Sequence, residues 1–398
     1  MGCTITRTYS PALITATKLQ KSDGDLVWEA GRNTPPWAMF LDGSNVVQVY
    51  GARAGFWTQP SGLITDSSYF SNSSGTLGDT VSADIGSTHV VMATPRLGGG
   101  FGNFGQITAI DLSDGSIDLD LGESFSSSVW YNAISHAPSS DLFDILFPTQ
   151  IDRYSISGGG TTGTQKFSLT GKSQDKRRRI LSDGTHYYLG IFTTRGRVAK
   201  TLISDLTTAS TLDAGSDFSN DYRMGDRGAI AGGYIAYGED PGSYVTVVST
   251  SSMSVAYRVA FASNTILSMD TKSGATVVCS EQNSSPGTID ITLIDSGGSE
   301  DWTVSYSGTV FDDIWHDPKP YFSSDGSSIY VTGDFTINGV SVQVLKLDAS
   351  DGSLEWCYTI GSGVSGSGSA RATNTPTDLV ESGSYLYISC QNNAPNYL

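Results

Sequence analysis

The chain has 398 residues, of which 23 are basic and 40 acidic, so its formal charge at neutral pH is −17 and its charged fraction is only 16%. This composition excludes a coiled coil and a charge-rich disordered tail, and it argues against a general nucleic-acid coat, because phosphate binding needs a basic face. Hydrophobic residues at 38% and aromatics at 10% are enough for a large core, and no run approaches the 18 apolar residues of a membrane-spanning helix.

Taken in chain order, Gly2 and Cys3 open a short myristoylation-like pattern. The first twenty residues have neither the charged nor the apolar region of a secretory signal. Residues 18–28 then read as strand, Asp-Gly turn, strand, because glycine accepts the positive φ of a tight turn. The same unit recurs without a gap at 109–119 and 346–356. Weaker copies lie at 151–167, 201–212, 245–257 and 289–302, and a degenerate one at 55–70. A second strand type, rich in β-branched and aromatic residues, precedes the hairpins at 44–51, 88–94, 142–148, 185–192, 233–238, 275–280, 328–333 and 384–390.

Both series count to eight, about 50 residues per unit, which is the spacing of four-stranded propeller blades. The chain opens on a hairpin that lacks its preceding strand and closes on a strand that lacks its hairpin. The expected fold is therefore all-β: a single eight-bladed β-propeller of four-stranded antiparallel blades over residues 1–398, with residues 384–398 and 10–30 sharing the closing blade. Such closure removes exposed sheet edges.

The string from Leu347 to Trp356, with its Asp-Gly turn and terminal tryptophan, resembles the repeat of the PQQ-like, quinoprotein-type β-propellers, and Trp28 and Trp302 take the same role. The resemblance implies that the indole wedges between neighbouring blades, and it places Leu119, Phe167, Leu212 and Tyr257 where other blades lose the tryptophan. Enzymes of that family are dehydrogenases holding PQQ and calcium, the better-known ones with a vicinal cysteine pair, which this chain lacks. A lipid-anchored eight-bladed scaffold of outer-membrane assembly is another relative of similar length.

Among chemical motifs, Gly100, Gly102 and Gly105 spell GxGxxG, but a strand rather than a helix is expected to follow, so they read as a loop. His89, His136, His186 and His316 are dispersed, and Asp312, Asp313, His316 and Asp317 read as a solvated turn between blades. Cys3, Cys279, Cys357 and Cys390 form no CxxC pair and are expected to be free thiols. No catalytic residue, metal site or cofactor is expected.

One charge feature stands out: Lys172, Lys176, Arg177, Arg178, Arg179, Arg195, Arg197 and Lys200 place 8 of the 23 basic residues within 29 positions. These side chains, from Lys176 to Lys200, are the expected binding patch, suited to carboxylate or phosphate. The reading that follows is a non-enzymatic structural or receptor-contact component of a phage-like virion, in its tail, fibre or decoration. Its expected partners are other virion or scaffold proteins or a host-surface glycan, with no nucleic acid and no membrane span. The alternatives are a bacterial cell-surface adhesion or scaffold propeller and a PQQ-type dehydrogenase.

Overall fold

The Asp-Gly turns set the local geometry. Gly24, Gly115 and Gly352 all have φ between 72° and 78°, and each donates its N–H to the carbonyl four residues earlier, on Gln20, Asp111 and Asp348. The aspartate before each glycine accepts the N–H two residues on, from Asp25, Ser116 and Ser353. Each turn is thus an Asx-supported loop with a β-bulge at its entry.

The computed structural model describes residues 14–31, 36–43, 45–50, 53–58, 64–66, 76–77, 82–97, 104–124, 133–136, 141–146, 150–158, 166–168, 181–192, 196–206, 208–213, 228–239, 244–261, 264–285, 287–309, 317–360 and 375–391. Among them every regular element is a strand, and no helix is long and apolar enough to cross a membrane. All eight segments expected to be buried strands are strands, from Asn45–Tyr50 to Tyr385–Gln391.

The strands form antiparallel sheets, numbered here in ring order. Sheet 1 joins the first hairpin, Ile14–Gln20 and Leu26–Gly31, to the last two strands, Thr375–Ser382 and Tyr385–Gln391, with Ala16 opposite Ser389 and Lys18 opposite Tyr387. Sheet 2 spans residues 36–66, sheet 3 spans 76–124 and has five strands, and sheets 4, 5 and 6 span 133–168, 181–213 and 229–260. Sheet 7, residues 264–358, has eight strands in two four-stranded meanders.

The described residues therefore form seven hydrogen-bonded sheets, not eight separate blades. The cause is local: Ser307, Gly308 and Thr309 at the end of one outer strand pair with Thr336, Phe335 and Asp334 of the next meander, which fuses the two.

Apolar clusters lie between successive units rather than within them. Ala16 and Tyr387 meet Met39 and Val46; Val47 and Val49 meet Val90 and Met92; Val91 and Ile107 meet Phe143 and Ile145. The series runs on until Tyr330, Val344 and Trp356 of sheet 7 meet Leu19, Leu386 and Ile388 of sheet 1, so the arrangement is a propeller-like ring. Middle strands are covered on both faces, which explains continuous buried runs such as Ser328 to Phe335, whereas the outer strand Ser254–Ala260 is largely exposed.

Two tryptophans lock successive units through the turns. Trp302 lies against Gly352 of the following meander and donates Nε1–H to the Ala349 carbonyl at 3.0 Å. Trp356 lies against Gly24 of sheet 1 and donates to the Lys21 carbonyl at 3.2 Å. Tyr257 stands in the same place beside Gly298, its hydroxyl donating to the Gly274 carbonyl. Register corrects two other expected replacements: Leu212 pairs with Val198 and Phe167 with Ile151, whereas the residue opposite Lys200, where Trp356 stands opposite Lys346, is Ser210.

Candidate functional site

Of the expected basic patch, Lys172, Lys176, Arg177, Arg178, Arg179 and Arg195 lie outside the described residues. Arg197 is on the strand Gly196–Leu202, where its backbone faces Ile191 and Asp213. Lys200, on the same strand, is half-buried between sheets 5 and 6: Nζ donates to the Thr250 carbonyl at 2.8 Å and lies 5.9 Å from the Tyr188 ring centre. This ammonium ties two sheets together.

Lys200 belongs to a row that the sequence reading missed. Lys18, Arg153, Lys200 and Lys346 share one register position, each opposite a residue of the strand before it: Tyr387, Asp144, Tyr188 and Tyr330. The carbonyls beyond them match too. Lys21, Ile203, Thr250 and Ala349 each donate N–H back to the residue just before the second strand of their own unit, namely Ser384, Thr185, Gly233 and Ser327. Tryptophan N–H groups reach two of these carbonyls, on Ala349 and Lys21. Lys200 reaches that of Thr250, and Arg153 reaches those of Ile203 and Ser204.

Arg153 needs a counter-charge at this depth. Asp144, fully buried, accepts both Nε and Nη2 of Arg153 at 2.7 and 2.8 Å, and the Tyr187 hydroxyl donates to the same carboxylate at 2.8 Å. Burial opposes the guanidinium charge, but the Asp144 hydrogen bonds and charge outweigh it and hold the Arg153 pKa above its ordinary value. An arginine opposite an aspartate in neighbouring apolar strands is the signal that could have found this pair.

Between sheets 7 and 1 lies a cleft of about 370 Å³, lined by Gln20, Lys21, Ser323, Asp325, Tyr330 and Lys346. Its two ammonium groups are paired, Lys21 with Glu381 and Lys346 with Glu355 at 2.8 Å. Burial raises the Glu381 pKa, but hydrogen bonds from Lys21 and Ser324 outweigh it, so the net shift is downward and the carboxylate stays ionised.

A histidine–carboxylate cluster occupies the hairpin end of sheet 3. His89 starts the strand His89–Leu97, Asp111 ends Phe104–Asp111, and Asp118 lies at the start of Ile117–Ser124. His89 Nε2 is 3.0 Å from Asp118 Oδ2 and 3.9 Å from Asp111 Oδ2, while Nδ1 is 2.8 Å from the Thr88 hydroxyl. Hydrogen bonds from the Ser113 hydroxyl and N–H hold the Asp111 carboxyl below the usual range. Sequence reading dispersed the histidines and so did not join these residues. The signal was the hairpin itself, which sets its ends side by side.

The remaining motifs fall as follows. Asp312, Asp313 and His316 lie outside the described residues, and Asp317 is buried. Gly105, expected in a loop, lies instead in the strand Phe104–Asp111, opposite Pro95 and Glu123, and Gly100 and Gly102 lie outside the described residues. Cys279 and Cys390 are buried thiols outside any disulfide, Cys3 lies outside the described residues, and Cys357 is disulfide-bonded, which corrects the expectation of a free thiol there. Spacing rules detect only cysteines close in sequence. No protein-family model matches the sequence, and no curated protein does. The likeness to the PQQ-like repeat therefore rests on residues 18–28, 109–119 and 346–356.

Proposed function

We propose that the chain is a non-enzymatic propeller of eight four-stranded units that serves as a rigid structural or receptor-contact component of a phage-like virion. The unit count is supported by the two meanders of sheet 7 and by eight apolar clusters among the described residues, one at each junction between successive units.

The observation that carries the functional reading is the use made of buried and half-buried donors. Trp302, Trp356, Arg153 and Lys200 all point at carbonyls of the next unit, and Lys272 and Lys319 likewise donate to carbonyls of Ser323 and Thr377. Groups that could bind a substrate instead tie the ring together. A rigid ring presents its loops as a fixed surface, which suits docking more than turnover. The acidic, Gly-rich and lysine-poor composition agrees with a particle component, and a bacterial surface adhesion propeller is the second reading.

In this reading the contact surface is the segment from Lys176 to Arg179, with Arg195 and Arg197, and its partner is a virion protein or an acidic host glycan. Arg177→Ser, Arg178→Ser and Arg179→Ser together should leave the melting temperature unchanged but weaken incorporation into particles or attachment to cells, with reduced salt sensitivity. Normal incorporation and attachment at low and high salt would refute the patch. Stoichiometric quinone in the purified protein would refute the non-enzymatic reading.

A further inference from the structure

We propose that His89, Asp111 and Asp118 form a binding site for a divalent transition metal of the borderline class, such as Zn²⁺, which cross-links three adjacent strands at the hairpin end of sheet 3.

The three ligand atoms come from three neighbouring strands and lie within 4.8 Å of one another. Zinc bound tetrahedrally at 2.0–2.2 Å sets its ligands about 3.3–3.6 Å apart, and the two distances from His89 Nε2, 3.0 and 3.9 Å, bracket that spacing. Each carboxylate has its other oxygen engaged: Asp111 Oδ1 accepts the Ser113 N–H at 2.6 Å, and Asp118 Oδ1 accepts the Ser116 hydroxyl at 3.2 Å. Both Oδ2 atoms are thereby turned toward the imidazole. His89 Nδ1 is bonded to Thr88, the outer contact that fixes the ring of a metal-ligating histidine.

The repeat supplies an internal comparison. At the same three positions the last meander carries Ser328, Asp348 and Glu355, and there Lys346 neutralises Glu355. In sheet 3 the position of Lys346 is taken by Ala109, which brings no charge. The carboxylate pair of sheet 3 thus gains an imidazole where its counterpart has a serine, and lacks the lysine that its counterpart has. Sheet 5 repeats the histidine, as His186 opposite Leu202, without the strand-end carboxylate. One imidazole nitrogen and two carboxylate oxygens are donors that zinc accepts, and three of them leave the fourth tetrahedral position to water. His89 is only 9% exposed, whereas the Asp118 side chain is 42% exposed and leaves a route for the ion.

The test is calorimetric titration of the full chain with ZnCl₂. One equivalent should bind, His89→Gln and Asp118→Asn should each weaken binding at least tenfold, and His186→Gln should leave it unchanged. Because His89→Gln could impair folding, Co²⁺ is added to the unaltered chain as a second measurement. The intense visible absorption of four-coordinate Co²⁺ should appear and be discharged by one equivalent of Zn²⁺, with no effect of Mg²⁺. Absence of saturable Zn²⁺ binding, or equal binding by a folded His89→Gln chain, would overturn the proposal, as would a Co²⁺ spectrum typical of the hexaaqua ion.

Discussion

The junction between sheets 7 and 1 and that between sheets 4 and 5 solve one problem with different chemistry. Both must satisfy a carbonyl at the turn of the following unit, Lys21 in the first case and Ile203 in the second. Trp356 does so with a neutral N–H on a large apolar ring, so burial and hydrogen bonding come from one side chain. Arg153 brings stronger donors but also a charge, and its burial is tolerable only with Asp144 and Tyr187 at hand. The first junction is robust because its parts are separable. The second is brittle because removing one member leaves another uncompensated.

The comparison breaks most clearly at Asp144. Asp144→Ala should cost about 3–5 kcal/mol in chemical denaturation by stranding the Arg153 charge, and adding Arg153→Met should recover much of that loss. If the single change costs under 1 kcal/mol, the pair is not the brittle element described. Next in size is Gly352→Ala, which forces a positive φ on alanine and sets its Cβ 2.6 Å from the Trp302 ring. Roughly 2 kcal/mol of destabilisation is expected, together with a red-shifted Trp emission if the ring is displaced. Lys200→Met keeps the stem and removes one hydrogen bond to the Thr250 carbonyl, so about 1 kcal/mol should be lost. A loss as large as that of Asp144→Ala would place Lys200 with the brittle junction.

Sequence alone made the hairpins legible wherever turn and ring residues coincide, as at Asp351, Gly352 and Trp356, because both constraints are local. It erred at Leu212 and Phe167, each taken for the tryptophan, but not at Leu119 or Tyr257, which hold the tryptophan's register position. Ten residues separate Lys18 from Trp28 and Lys346 from Trp356, and ten from Lys200 lands on Ser210, not on Leu212. Spacing carried the register; hydrophobicity misled. The Arg153–Asp144 pair and the His89 cluster were hidden for a different reason: their meaning depends on which strands lie side by side. The fusion of the two meanders in sheet 7 depends on strand extension past the bulge between Thr332 and Phe335, which no repeat pattern encodes.

Sheet 1 also fixes an order of events during synthesis. Its first hairpin emerges early, but Ala16 must wait for Ser389 to be translated before the two can pair. At 5–20 residues per second that interval is about 19 to 75 s. Throughout it the Ile14–Gln20 strand has an open edge in a crowded cell, so ring closure is the step at which nascent chains compete with one another. Slower translation would lengthen the window in which that edge stays open.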